Sequence, residues 1–227
     1  MREAFHGALI ALGEELAGMC ESATTAMRRA TQALLTADHE LAEEVLSADD
    51  RLDAARDRCE RHAYNLIALQ APVARDLRVI LAAIYCADKV ERMGDLAAHV
   101  ADIARRNHPE PAVPAELSEL FARLGARCVA MSEQLTKLTT GVNRTGFTEL
   151  DQADAEVDSV HSRVLDLVTD ESWPHGIRAA RDLALLARFY ERFADQAVSV
   201  ARRLDFAATG ILPGRIAAKQ ARPPRSA

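Results

Sequence analysis

Aromatic residues are scarce in this sequence: Trp, Tyr and Phe together make up only 4% of its 227 residues. Strands favour aromatic and β-branched side chains, whereas Ala and Leu, which dominate here, are better helix formers. Hydrophobic residues still make up 49% of the chain, which is enough to bury a substantial core. The composition therefore predicts an all-α protein.

Cysteine is also sparse, and none of the four cysteines belongs to a C-x-x-C pair. Because each one falls in a different predicted helix, neither a disulfide framework nor a zinc ribbon is expected. We predict buried, reduced thiols that act as small apolar side chains at Cys20, Cys59, Cys86 and Cys128.

No apolar run approaches the roughly 18 residues that a membrane-spanning helix needs. Acidic residues begin at Glu3 and recur throughout, so we expect no signal peptide and a cytoplasmic protein. A Gly-rich loop and a G-x-S-x-G motif are missing too, and the sequence alone supports no Cys-His pairing, so no sequence motif indicates nucleotide binding or nucleophilic catalysis.

A basic excess is missing as well, since the net charge is −6. The last 20 residues carry four basic and no acidic side chains, which leaves 24 basic against 34 acidic ones in the rest, a net charge of −10. This acidity argues against binding of nucleic acid, which needs a basic face, and favours hard cations as ligands.

What the chain does contain is a regular recurrence of apolar residues at steps of three and four, the pattern of helices in a bundle. Six stretches of this kind predict six helices, with apolar seams over residues 5–33, 41–69, 83–100, 117–138, 150–167 and 183–204, and the third helix is expected to run from Pro72 to about Arg106. We expect Asp38 to cap the second helix and Pro72 to occupy the first helical position of the third. Gly141 and Gly210 are expected to end the fourth and the sixth helix.

A Pro-rich segment, residues 108–114, divides the helices into two sets of three. The sequence therefore predicts two tandem, pseudo-symmetric three-helix bundles, residues 1–108 and 114–208. A short basic tail, residues 209–227, is expected to be disordered.

An internal repeat supports this division. Residues 75–106 align without a gap on residues 175–206, and both segments carry Glu-Arg-x-x-Asp at the same place. In the middle helices, Ala-Asp-x-x-Leu-Asp at 48–53 is echoed by Ala-Asp-x-x-Val-Asp at 153–158. Each half therefore offers carboxylates at equivalent positions of its second and third helices.

These carboxylates come in pairs spaced four residues apart: Asp49/Asp53, Glu91/Asp95, Asp154/Asp158 and Glu191/Asp195. Residues four apart lie on one helix face, so the two carboxylates of a pair repel each other unless a positive charge lies between them. Two neighbouring pairs make a cluster of four, which suits hard cations such as magnesium, calcium, manganese and iron.

Most of these acids directly follow an apolar seam residue, which places them about 100° away from the core, on the flank of the bundle. A ferritin-like di-iron oxidase, whose ligands point inward, is therefore a poor fit. The alternative to a metal site is that the acids are solvated or paired with arginine. We expect His62 to be a hydrogen-bonded core residue, whereas His99 and His161 lie near the acidic faces and either could join a site.

Two of the acidic pairs stand in longer segments, D-K-V-E-R-M-G-D at 88–95 and Y-E-R-F-A-D at 190–195, and L-Q-A-P-V-A-R-D-L-R at 69–78 leads into the first. With the length, the midpoint linker and the twofold repeat, these segments resemble the PhoU/PhoY family of phosphate-signalling regulators over residues 1–207. The resemblance implies two symmetry-related three-helix bundles with metal on the acidic surface, where Glu91, Asp95, Glu191 and Asp195 match the family signatures. The ions implied are divalent or trivalent, such as iron, zinc, magnesium or manganese.

The resemblance also implies a function. Such a protein is a non-catalytic negative regulator of phosphate uptake that couples a phosphate ABC transporter ATPase to a sensor histidine kinase. It is expected to form a homodimer, to bind no nucleic acid and to reach the membrane only through its partners. Two alternatives stay open: a metal-dependent enzyme of phosphate chemistry, and a metal-free helical scaffold.

The chain departs from the family pattern at several positions. Ala194 and Gln196 stand where Gly and His are frequent, and Arg188 takes the place that Asp88 has in the first half. Leu96 replaces a common His in the first signature. From these departures we expect the second cluster to bind metal less tightly than the first.

Overall fold

The computed structural model describes residues 2–140 and 146–211. Within these ranges the chain forms six long α-helices and one short 3-10 turn, Ala115–Leu117. The helices are α1 Arg2–Thr36, α2 His39–Gln70, α3 Ala74–Asn107, α4 Ser118–Thr140, α5 Gly146–Thr169 and α6 Gly176–Thr209. The all-α fold and the order of six helices are as the sequence predicted.

Two predicted helix ends are confirmed. Asp38 caps α2, because its Oδ1 accepts a hydrogen bond from the backbone N–H of Leu41 at 2.9 Å. Gly210 ends α6 in the left-handed conformation, with φ of 72°, which glycine adopts without strain. The predicted end of the fourth helix, Gly141, lies outside the described residues.

The start of α3 differs from the prediction. Pro72 is not its first residue, since α3 begins at Ala74 and Val73 precedes it with an extended backbone. Ala71 ends α2 in the left-handed conformation, with φ of 43°. Pro72 and Val73 therefore belong to the turn between the two helices, and α3 begins only at Ala74. Pro72 therefore shapes the α2–α3 turn instead of starting the helix.

The predicted apolar seams form the core, and all four cysteines are buried and free. Burial raises the pKa of both Cys20 and Cys59 to about 12, so these thiols stay protonated and unreactive. The seams are wrong only at their ends: Leu69 is 77% exposed and Leu167 is exposed as well. Both lie in the last turn of their helices, and in α5 Val168 takes the buried position instead of Leu167.

Each half packs its three helices together, and the halves join through α1 on α4 and α3 on α6. In α3 and α6, the Cys86 thiol approaches the carbonyl of Val200, and Asn107 donates to Asp182, so the two helices run antiparallel. The buried apolar residues of both halves belong to one continuous core. The domain limits 1–108 and 114–208 stay a prediction, and the predicted tail lies almost wholly outside the described residues.

None of the helices in residues 2–140 and 146–211 is both long and apolar enough to span a membrane.

Candidate metal centre

The first acidic cluster lies at a close contact between α2 and α3. Gly94 makes this approach possible, because a Cβ atom there would lie 2.3 Å from Cδ2 of the buried Leu52. The same Cβ position is 3.5 Å from Oδ1 of Asp49, so that carboxylate sits directly against α3. Glu91 and Asp95 lie one turn apart on α3 around this contact point.

The four predicted acids of the first half influence one another. Burial, followed by the charge of Asp95, raises the pKa of Glu91 to about 7. Burial also raises the pKa of Asp95, and Asp53 raises it further. The pKa of Asp49 is raised in the same way by burial and then by Asp95 and Asp53. The structure thus brings Asp49, Asp53, Glu91 and Asp95 into one cluster.

An arginine that the sequence analysis did not single out lies inside this cluster. Arg56 Nη1 donates to Glu91 Oε1 at 2.8 Å and lies 3.8 Å from Asp53 Oδ1. Its Nη2 binds Asp57 Oδ1 at 3.0 Å, and its side chain is only 28% exposed. The only sequence signal was its position three residues after Asp53, on the same helix face.

The second cluster lies between α5 and α6. Burial, and then the charges of Asp158 and Asp195, raise the pKa of Asp154 to about 6. The pKa of Glu191 is raised by burial and then by Asp195, with a smaller contribution from Asp158. Asp154, Asp158, Glu191 and Asp195 therefore form a cluster equivalent to the first one.

Two oxygens of the second cluster are buried without a hydrogen bond from the described residues: Asp154 Oδ1 and Glu191 Oε2. Glu191 is 9% exposed, and only its Oε1 is satisfied, by Arg188 Nη1 at 2.5 Å. A buried carboxylate oxygen without a partner is costly. No carboxylate oxygen of the first cluster, all of whose members are described, has this property.

Neither cluster is a ready-made coordination shell. Among the residues that the structure describes, no three His, Cys, Asp or Glu side chains are already placed to hold a metal ion. The donor chemistry nevertheless fits a hard cation in the second cluster, since two acidic oxygens there have no other partner. The first cluster fits one only if the Arg56 guanidinium moves away.

The histidines behave differently from one another. His62 is hydrogen bonded, at 2.9 Å to Glu15 Oε1, but it is not the predicted core residue: its side chain is 26% exposed and its partner is a surface carboxylate. His99 approaches the backbone carbonyl of Asp95 at 2.5 Å, on the edge of the first cluster. His161 lies close enough to Glu191 that its charge lowers the pKa of that carboxyl.

These features define a class: an all-α protein of two pseudo-symmetric bundles, each with an acidic cluster on its flank. Among known protein families, the one described as the PhoU domain matches residues 16–104 of this chain. Phosphate-specific transport system accessory protein PhoU homolog 2 of Mycobacterium tuberculosis is 45% identical over 213 residues, which cover 94% of this chain and all of the relative. PhoU homolog 1 of Mycobacterium leprae is 44% identical, with 94% and 96% covered. The chain therefore belongs to the PhoU family.

Solved structures agree on the fold. PhoU from Pseudomonas aeruginosa aligns with a TM-score of 0.83 at 23% identity, over 91% of this chain and all of that one. The phosphate transport system regulatory protein PhoU from Streptococcus pneumoniae aligns with the same TM-score at 22% identity, over 92% of this chain and 98% of that one. The resemblance drawn from the sequence and the two-bundle architecture are confirmed.

Proposed function

We propose that this chain is a non-catalytic regulator that lowers phosphate uptake when phosphate is plentiful, by coupling a phosphate ABC transporter ATPase to a sensor histidine kinase. One observation carries the proposal: near-complete alignment with accessory proteins of phosphate-specific transport at up to 45% identity. That likeness supports an accessory role in phosphate transport, and the coupling is the finer part of the proposal. We place the protein in the cytoplasm, at the membrane only through these partners.

The partner proposal is tested by capturing the tagged full chain from cells grown at high and at low phosphate. We expect the transporter ATPase and the kinase to be recovered, in amounts that depend on phosphate. Recovery of neither protein at any phosphate level would contradict the coupling. Glu133→Gln, which removes an exposed acid of α4 that pairs with Arg28, serves as a charge-matched control for variants of the clusters.

The metal proposal assigns divalent or trivalent cations, such as iron, zinc, magnesium or manganese, to the acidic clusters. Asp154, Asp158, Glu191 and Asp195 would hold an ion in the second half, whereas Asp49, Asp53, Glu91 and Asp95 would hold one in the first half only with the Arg56 guanidinium displaced. Burial and then mutual repulsion raise the pKa values of Glu91 and Asp154, and a bound cation would neutralise that repulsion. Elemental analysis of protein purified without chelator or affinity metal tests this, and metal-free protein under all growth conditions would favour a plain helical scaffold.

Absence of catalysis is part of the same proposal. The proposal rests on the likeness to accessory proteins of phosphate-specific transport, and the His99 imidazole at the first cluster lies against a backbone carbonyl. A phosphatase assay of the manganese-loaded protein checks this point. We expect no turnover above that of the Glu191→Gln variant. Light scattering of the same samples tests the proposed homodimer.

A further inference from the structure

The two acidic clusters follow the same helical plan, but they differ at one position. A shift of 105 residues takes Asp49 to Asp154 and Asp53 to Asp158. The same shift takes Arg56 to His161, one turn further along the same helix face. The first cluster therefore has a permanent cation at the position where the second has an imidazole.

Arg56 is fixed in its place by three acids. Its guanidinium lies 2.8 Å from Glu91, 3.8 Å from Asp53 and 3.0 Å from Asp57, and the side chain is largely covered. Arginine is always protonated, so this charge cannot be removed by a change of pH. A metal ion entering the first cluster has to displace the guanidinium or accept its repulsion at close range.

The second cluster has no equivalent arginine on α5. Its nearest guanidinium belongs to Arg188, which reaches Glu191 from the same helix with a side chain that is 50% exposed. This contact satisfies one Glu191 oxygen and leaves the other, together with Asp154 Oδ1, buried and without a hydrogen bond from the described residues. The open acidic oxygens are thus confined to the half that has His161.

We propose that Arg56 is a built-in counter-ion that excludes metal from the first cluster, so that the second cluster is the one that binds. The residues at the equivalent positions 56 and 161 determine which cluster binds metal. This inference rests on the proposed metal binding. It reverses the order expected from Ala194, Gln196 and Arg188, because Arg56 contacts two acids of its cluster with a largely covered side chain, whereas Arg188 contacts only Glu191 and is half exposed.

The test is titration of the metal-free full chain with Mn²⁺, followed by electron paramagnetic resonance of the free ion. We expect wild type to bind one equivalent, and Arg56→Gln and Arg56→His to bind a second at least about tenfold more tightly than the first cluster of wild type does. Arg56→Lys, which keeps the charge, should behave as wild type. Arg58→Gln removes an exposed charge from the same helix and is the matched control.

A swap sharpens the result. In the double variant Arg56→His with His161→Arg, one equivalent should still bind, but Asp95→Asn should now abolish it, whereas Asp195→Asn abolishes binding in wild type. Two equal sites in wild type, or an Arg56→Gln variant with unchanged stoichiometry and affinity, would overturn the inference while leaving metal binding intact. No binding by any variant would overturn the proposed metal function as well. Circular dichroism of each variant verifies that it is folded.

Discussion

The two halves of the molecule place four carboxylates in the same way and balance their charge differently. In the first half, Arg56 supplies a covered cation, and Gly94 lets α2 and α3 approach closely. In the second half, alanine occupies the position of that glycine, and two carboxylate oxygens have no partner among the described residues. A duplicated backbone plan therefore preserves where the acids lie, but single substitutions decide what compensates them.

The largest effect is expected from filling the close contact of the first half. Gly94→Val should lower the free energy of unfolding by about 3 kcal/mol, because its side chain would overlap the buried Leu52. Urea denaturation of metal-free protein measures this. The double variant with Leu52→Ala should lose less than the sum of the two single losses, and simple additivity would show that the contact does not limit packing.

The stabilisation by metal should differ between variants of the two clusters by almost as much. Mn²⁺ at one hundred times its dissociation constant should raise the free energy of unfolding of wild type by about 2.7 kcal/mol. Glu191→Gln should abolish this gain, because it removes a charge from the cluster with open oxygens, whereas Glu91→Gln should retain it. Thermal unfolding with and without Mn²⁺ gives the comparison, with Glu133→Gln as control. Equal losses in both variants would erase the distinction between the clusters.

Removing the arginines without metal should have a smaller, unequal effect. Arg56→Gln should cost about 1–2 kcal/mol, since it breaks a largely covered, charge-assisted hydrogen bond to Glu91. Arg188→Gln should cost less than about 1 kcal/mol, because that guanidinium is half exposed. Urea denaturation in the presence of a chelator tests the ranking. A larger loss from Arg188→Gln would contradict the compensation that we assign to Arg56.

The smallest effect is a dependence on pH. Folding raises the pKa of Glu91 to about 7 and that of Asp154 to about 6, so the folded chain binds more protons than the unfolded chain between those values and the ordinary carboxyl range. The protonated carboxyls therefore add stability at low pH, and this is lost as pH rises through 6 and 7. Relative to Glu91→Gln, metal-free wild type should lose about 1 kcal/mol between pH 5 and pH 8. If the free energy of unfolding changed with pH by the same amount in wild type and Glu91→Gln, Glu91 would not titrate in this range.

Much of the fold follows from local rules that the sequence displays. The spacing of apolar residues located all six helices, and the cap at Asp38 and the glycine at 210 followed from the needs of helix ends. The clustering of the acids was predictable as well. Their four-residue spacing places the two acids of a pair on one helix face, and the internal repeat places such pairs at equivalent positions in both halves. These features depend on neighbours within one turn, which is why the sequence was sufficient to predict them.

The remainder depends on contacts between helices. Arg56 joins the cluster through a side chain that reaches from α2 to α3, and its position three residues after Asp53 does not show that contact with Glu91. Leu69 follows the apolar period but is exposed in the last turn of α2, and His62 meets Glu15 of α1 at the surface. The open oxygens of Asp154 and Glu191 reflect what is lacking around them, which a sequence does not display.

The antiparallel contact of α3 with α6 has a consequence for producing the two halves as separate polypeptides. A fragment that ended in the proline segment would bare the side of α3 that receives Val200, and would leave the Thr31 hydroxyl without the Tyr190 hydroxyl that lies 2.9 Å away. Such a fragment would expose an apolar surface along α3, and it would aggregate or dimerise through that surface. Supplying the other fragment in trans should restore solubility, so the two pieces suit a split-protein complementation pair.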